Sequence, residues 1–278
     1  MRKTRVFAAA AAALALTLAG CSSSGGETNS ESQAASEQGV TTLTVGASPA
    51  PHARILKFVK DELAADAGID INIVEYTDYI IPNQALKSGD IDANFYQTVP
   101  YLEGQKKELG VDFSHGEGIH LEPLAVYSNK IEKLDDLKDG AKVGIINDTA
   151  NQGRALDLLA VAGIVKVPEG EDATIFNVEK LKNVEFVEVE GPQLVRSLQD
   201  VDIAVINGNY AEEGGLSSAK DALLVENPEG SPAVNVLVWR SEDDNNEAIQ
   251  TLDKLLHSPE VAQFIKDTWT DGSVIPAF

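Results

Sequence analysis

From about residue 42 onward, apolar positions fall into short runs whose spacing switches repeatedly between that of a strand and that of a helix. Leu43, Val45 and Ala47 predict a first strand ending at Ser48-Pro49, and Ile55, Leu56, Val59 and Leu63 make one helical stripe over 53–65. Gly68 closes that helix, and Ile71, Ile73 and Val74 predict the next strand. Pro82 suits the first turn of a short helix through Leu86, stopped at Ser88-Gly89. A strand over 91–96 and a helix over 99–109 follow.

A second block begins near Ile131, with strands over 142–146, 184–189 and 202–206 and helices over 150–162 and 192–198. A third returns with a strand over 233–239 and two helices within 245–269. Such alternation predicts an α/β fold of mostly parallel sheets flanked by helices. Two stretches, 122–128 and 232–238, carry a proline near their start and then an apolar run, and read as extended crossings between blocks. Two crossings make the first lobe discontinuous. Residues 42–125 plus 235–278 then form lobe 1 and 126–234 form lobe 2, with a cleft between them. The roughly 240 residues available suit two lobes of about 120 each.

The first forty residues carry a different pattern. Arg2, Lys3 and Arg5 form a basic head, and 7–18 is an apolar run rich in Ala and Leu. That run has the length of an export signal and falls short of the ~20 residues that span a bilayer. Leu18-Ala19-Gly20-Cys21 reads as a cleavage-and-lipidation box, so 1–20 is the signal peptide and Cys21 the lipidated residue. Cys21 is the one cysteine in the chain, which rules out an intrachain disulfide. The Ser/Gly/Glu/Gln stretch to about residue 41 is too polar to fold and serves as a flexible tether. The mature chain is thus expected on the extracytoplasmic face of the cell membrane, lipid-anchored.

The formal charge is −22, and cleavage after Gly20 removes three positive charges and no negative one, taking it to about −25. A field of that sign argues against nucleic acid and against electrostatic docking on anionic lipid. No Gly-x-Ser-x-Gly elbow or phosphate loop occurs, so an enzyme is not expected and no cofactor is implied. His115, Glu117, His120 and Glu122 are metal-ligand types placed close together, but their glycine-rich context reads as a solvated loop entering a strand.

Recognition fits better. Asn147 through Arg154 lies between a strand and the helix it feeds, where unpaired N–H groups and an arginine one turn in suit a carboxylate. In the plainer alternative Asn147 or Asp148 caps the helix and Arg154 pairs with Asp157 or a surface acid. Asn207-Gly-Asn209-Tyr210 follows a strand's carboxyl end, where open α/β sheets bind ligands, although the same string serves as a turn. Asn235 is an amide in an apolar strand and needs a partner. Tyr76, Tyr79, Phe95, Tyr96 and Tyr101 concentrate aromatic surface in the first block, enough to wall an apolar slot.

In this order these strings resemble the methionine-binding lipoproteins of bacterial ABC importers. The strings are Glu75-Tyr-Thr-Asp-Tyr79, Gly89 through Gln97, Pro100-Tyr-Leu102, Asn147 through Leu156, Asn207 through Ala211, and Ser231-Pro-Ala-Val-Asn235. The resemblance covers the mature chain and implies a two-lobed, type II periplasmic-binding-protein fold closing on a free amino acid. It implies an ABC permease with its cytoplasmic ATPase as partner. By position it implies that Arg154 holds the ligand carboxylate with Asn147 and Asn151 beside it. Asn207 and Asn235 then fix the amino and carboxyl groups from the opposite side, and Tyr79, Tyr96 and Tyr101 line the thioether slot. One departure stands out: relatives commonly have Gln-His where this chain has Gln97-Thr98. A threonine reaches less far than an imidazole, so Thr98 leaves open a different small zwitterion, such as a methionine derivative, a short peptide or another amino acid. A surface adhesion lipoprotein is the alternative of another class.

Overall fold

The structure, a computed structural model, describes residues 39–278. The expected signal peptide and Cys21, with most of the tether, lie outside the described residues. In chain order the first elements are β1 (Thr41–Ala47), α1 (His52–Val59), β2 (Ile69–Glu75), α2 (Ile81–Ser88) and β3 (Ala93–Thr98). Next come α3 (Val99–Leu109), β4 (Phe113–His115) and β5 (His120–Leu121). A middle group contains β6 (Ala125–Tyr127), β7 (Ala141–Ile146), α4 (Thr149–Val161), β8 (Val165–Lys166), β9 (Glu179–Lys180) and β10 (Val184–Val189). It continues through α5 (Leu194–Ser197), β11 (Ile203–Ile206), α6 (Gly208–Glu213), α7 (Ser218–Asp221) and β12 (Ala222–Val225). The chain ends with β13 (Val234–Arg240), α8 (Glu247–Leu256), α9 (Pro259–Thr268) and β14 (Ile275–Pro276).

Two main sheets result, in the two-lobed α/β architecture. One has the order β14-β5-β13-β3-β1-β2, with β4 also on β13, and the other the order β10-β7-β11-β6-β12. Strands linked through a helix pair in parallel: β1 with β2 and β3, and β7 with β10 and β11. The strands that cross between sheets or return run antiparallel, β13 against β3 and β6 against β11. Each sheet is therefore parallel where a helix makes the connection and antiparallel where a crossing does.

Both faces of each sheet are covered, so its strands are apolar on both sides and the two faces sort by parity. On β13, Leu237 and Trp239 join the core beneath α1, α8 and α9, while Val236 and Val238 join the core with Leu86 and Leu102. On β11, Ile203 and Val205 pack with Leu156 and Leu159 of α4, and Ala204 and Ile206 with Leu194 and Leu198. The helix stops follow the expected glycines: Gly89 after α2 and Gly163 after α4 have φ of 81° and 66°, left-handed values that a side chain resists.

The differences from expectation lie in short elements. The helix begun at His52 ends in a π-helical turn, Lys60–Ala64. The 192–198 helix is one 3-10 turn followed by four α-helical residues. The elements α6, α7 and β12 are too short to show a period in sequence. Two segments, 122–124 and 226–233, pass between the sheets.

Leu156 is fully buried under α4, the helix that carries Arg154. Leu156→Ala is expected to cost about 2–5 kcal/mol through lost burial and a residual cavity. Urea denaturation should show a lower midpoint at unchanged slope.

Candidate ligand pocket between the sheets

Three neighbouring strands set one row of the pocket floor. Asn235 on β13 stands opposite Thr98 on β3 and opposite His120 on β5. Tyr96 is brought to the pocket by a bulge: Val236 pairs with Gln97 and Leu237 with Phe95, leaving Tyr96 as the extra residue. The parallel strand β1 supplies His52 beyond its carboxyl end, at the start of α1. From the other sheet, Asn151 and Arg154 come from the first turns of α4, and Asn207 to Asn209 from the junction of β11 and α6.

These residues line a single tight pocket. Of the residues expected from sequence, Tyr79, Tyr96, Thr98 and Tyr101 line it from one side, and Asn151, Arg154, Asn207 and Asn235 complete it. Asn147 is not among its lining residues. It is exposed, and its backbone N–H donates to Val189 at the end of β10. Gly208 and Asn209, from the string singled out after the 202–206 strand, also line the pocket, as do His52, Gln97 and Glu122, which were not anticipated as ligand-binding.

The tyrosines form one cluster around Tyr79. The hydroxyls of Tyr96 and Tyr101 both donate to the Tyr79 carbonyl, at 3.0 and 2.9 Å. The Tyr79 hydroxyl donates to Asn209 Oδ1, and its ring stacks on Tyr210 of α6 at 4.8 Å. The aromatic wall thus joins the two halves of the pocket. Burial keeps the Tyr79 and Tyr96 hydroxyls protonated, well above their ordinary range.

At α4, Asp148 is the N-cap and accepts from the Asn151 backbone at 2.8 Å. Asn151 also donates its amide to that carboxylate and accepts from Asn207 Nδ2 at 3.0 Å. The capping alternative therefore describes Asp148. Arg154 pairs with Glu226, not Asp157: its Nε donates to Oε1 at 2.8 Å and its Nη2 to Oε2. Nη2 also donates to the Glu122 carbonyl at 2.7 Å. The Nη1 edge has no hydrogen-bond partner among the described residues.

Under Asn235 lies a buried polar group. His52 Nε2 meets Asn235 Oδ1 at 2.9 Å, His120 Nε2 meets Glu122 Oε1 at 2.8 Å, and Asn235 Nδ2 donates to the same Oε1 at 3.3 Å. Desolvation pushes His52 down to about 4 and His120 to about 3, so both rings are neutral near pH 7. Burial raises Glu122, with His52, Arg154 and the Asn209 backbone pulling the other way. Of the four metal-ligand types noted in sequence, His115 and Glu117 are exposed, and only His120 and Glu122 come together. Their grouping with His52 has ligand atoms within 4.8 Å. A glycine is needed at 208, since a Cβ there would stand 2.8 Å from the Glu122 Cβ and 3.0 Å from its Oε2.

The model of the NlpA lipoprotein family matches residues 43–278. The D-methionine-binding lipoprotein MetQ of Salmonella typhi is 36% identical over 278 residues, covering 98% of each chain. Among solved structures, a lipoprotein from Actinomyces odontolyticus is 64% identical with a TM-score of 0.84, over 86% of this chain and 100% of that one. A nutrient-binding protein from Burkholderia cenocepacia, solved bound to methionine, is 37% identical with a TM-score of 0.81, over 85% of this chain and 100% of the other.

The histidines give the pocket a pH signature. Their folded pKa values lie below the unfolded value of 6.5, so the unfolded chain takes up protons first as pH falls. Their contribution to stability is complete above about pH 6.5 and is lost toward pH 4. Thermal unfolding across that window should show the wild type losing more midpoint than His120→Gln.

Proposed function

The chain belongs to the NlpA lipoprotein family, and from that premise we propose that it is the solute-binding receptor of an ABC importer, taking methionine or a close relative. Residues 42–125 with 235–278 act as one lobe and 126–234 as the other, hinged at the two crossing segments. Opening separates Tyr79 from Asn209 and Tyr210, and closure over the ligand restores those contacts. Ligand binding favours the closed form, and that form is what the permease and its ATPase receive. The role asks for no chemistry on the ligand. Cys21 carries the lipid that holds the receptor at the extracytoplasmic face of the membrane.

The observation that carries this reading is Arg154, partly buried at the pocket wall with Nε and Nη2 held and Nη1 unpartnered among the described residues. A pre-oriented guanidinium with Nη1 to spare suits a ligand carboxylate. Asn151 and Asn207 stand beside it as amide partners. Asn235 stands opposite, and Tyr79, Tyr96 and Tyr101 form the slot for the thioether. Asn147, exposed beyond the pocket, supports the loop rather than the ligand. Support for the ligand comes from the methionine-bound Burkholderia relative and from the name of the Salmonella one.

A second reading rests on Thr98, which lines both the pocket and a neighbouring groove. A threonine there takes up less space than the relatives' histidine, which favours a longer zwitterion such as a short peptide.

Mass spectrometry of small molecules released on denaturing the purified mature protein separates the two. Methionine is expected, and a dipeptide or other amino acid would favour the second reading. Calorimetric titration of methionine should show Arg154→Ala binding at least ~100-fold more weakly, as expected for losing charge-assisted hydrogen bonds. Circular dichroism checks that the variant is folded, and unchanged affinity in a folded variant would overturn the assignment of Arg154.

A further inference from the structure

Glu122 is 6% exposed at the pocket wall, and among the described residues no charged side chain donates to its carboxyl group; the Arg154 charge acts on it only from a distance. Its contacts within ion-pair distance are His120 Nε2 at 2.8 Å and His52 Nε2 at 3.4 Å. Both rings are neutral near pH 7, because burial holds them far below the ordinary imidazole range. Arg154 touches residue 122 only through the backbone carbonyl, and its charged fork is spent on Glu226. Glu226 lines the outer groove and not the pocket, so that pair is made at the rim. The inner carboxylate is left with neutral donors alone.

A buried charge without a counter-charge is costly, and such groups are found paired or bound to a cation. Three neutral side chains are nevertheless arranged to hold this one in place. Oε1 is shared by His120 and Asn235, and Asn235 is itself held by His52. Among the described residues no side chain donates to Oε2, which lies against Gly208, another residue of the pocket lining, and the Asn209 backbone N–H is a further donor to this carboxyl group. Any side chain at 208 would crowd this carboxylate, which keeps it reachable from the pocket.

From this arrangement we infer that Glu122 receives the ligand's ammonium group, with His52, His120 and Asn235 as positioning residues for its carboxylate. The inference rests on the reading of the pocket as an amino acid site and deepens it. A ligand must bring a free, protonated primary amine, so N-acylated forms are rejected even when their carboxylate and side chain are unchanged. The ligand then spans the pocket, its carboxylate on the free edge of Arg154 and its ammonium on Glu122. Glu122 gains its partner from the zwitterion's ammonium, which a purely anionic ligand cannot provide. Asn235, whose amide is already taken by His52 and Glu122, acts through Glu122 on the amino end.

A divalent metal ion is the competing occupant of the same three side chains. Zinc bound at 2.0–2.1 Å in a tetrahedral site holds its ligand atoms about 3.3 Å apart. The 2.8 Å between His120 Nε2 and Glu122 Oε1 is a hydrogen bond and leaves no room for an ion between them.

The test is calorimetric titration of the mature protein and its Glu122→Gln variant with methionine, N-acetylmethionine and methioninamide. Glutamine keeps the shape and removes the charge. Methionine is expected to bind the variant about 10–100-fold more weakly, the loss of one charge-assisted hydrogen bond in a buried site. In the wild type, N-acetylmethionine should bind at least as poorly, and methioninamide should keep a response that Glu122→Gln abolishes. The unliganded variant should melt no lower than the wild type, because burial already disfavours the charged form of Glu122. Methionine bound by the variant within about threefold of the wild type would overturn the inference, and so would N-acetylmethionine bound as tightly as methionine. A wild type that binds methionine while Glu122→Gln matches it sinks the ammonium assignment alone. A wild type that binds no amino acid or short peptide sinks the receptor reading with it. A melting shift with Zn²⁺ alone, lost in Glu122→Gln, would give the site to a metal instead.

Discussion

Much of this molecule hangs on the three hydrogen bonds that fix the Arg154 guanidinium. Its partners are the Glu226 carboxylate and the Glu122 carbonyl, one on each segment that crosses between the sheets. Those segments are also tied to one another. The Glu226 backbone N–H donates to the Leu124 carbonyl at 2.8 Å, and the Leu124 N–H donates to the Glu226 side chain at 3.0 Å. A single side chain from α4 therefore meets both crossings. In the proposed receptor a ligand carboxylate on its Nη1 would act directly at those crossings, so coupling of this kind would need no long pathway.

The opposite wall follows from a different constraint, the cost of burying polar groups without water. Asn83, Asn94 and Gln97 are wholly or nearly buried beneath the floor and satisfy one another, with Gln97 Nε2 donating to both Asn83 and Asn94 at 2.8 Å. The group of His52, His120, Asn235 and Glu122 is connected in the same way but leaves the Nδ1 atoms of both rings unpartnered. Such networks stiffen a site when complete and are expensive when broken. Here the first set closes on itself, and the second places Glu122 at the pocket wall, where the proposed ammonium would meet it.

The sequence was most legible where periodicity and turn chemistry agree. The strand over 184–189 matches β10 residue for residue, and the helix over 99–109 matches α3. Arg154 was readable because a strand-to-helix junction with an arginine one turn in has few roles, yet its partner Glu226 lies 72 residues away and left no local sign. The bulge that makes Tyr96 the extra residue depends on pairing with β13, which no window around Tyr96 contains. His52 and Glu122 were harder still. His52 reads as the unremarked start of a helix, and its partner Asn235 is 183 residues distant. Glu122 was visible as an acid beside His120 on one face of a strand, but its neighbours suggested a loop. Only the return of β13 alongside β5 shows the face to be the floor of a pocket. Residues that meet across sheets are set by topology, and a single sequence displays them only through the types of residue it places there.

A pocket that clamps the two ends of one zwitterion should be visible in a crystal structure of the mature protein with methionine. The ligand carboxylate is expected on Nη1 of Arg154, its ammonium within hydrogen-bond distance of Glu122, and its thioether among Tyr79, Tyr96 and Tyr101. A methionine bound with its ends reversed, or seated in the outer groove with Glu122 untouched, would contradict that placement.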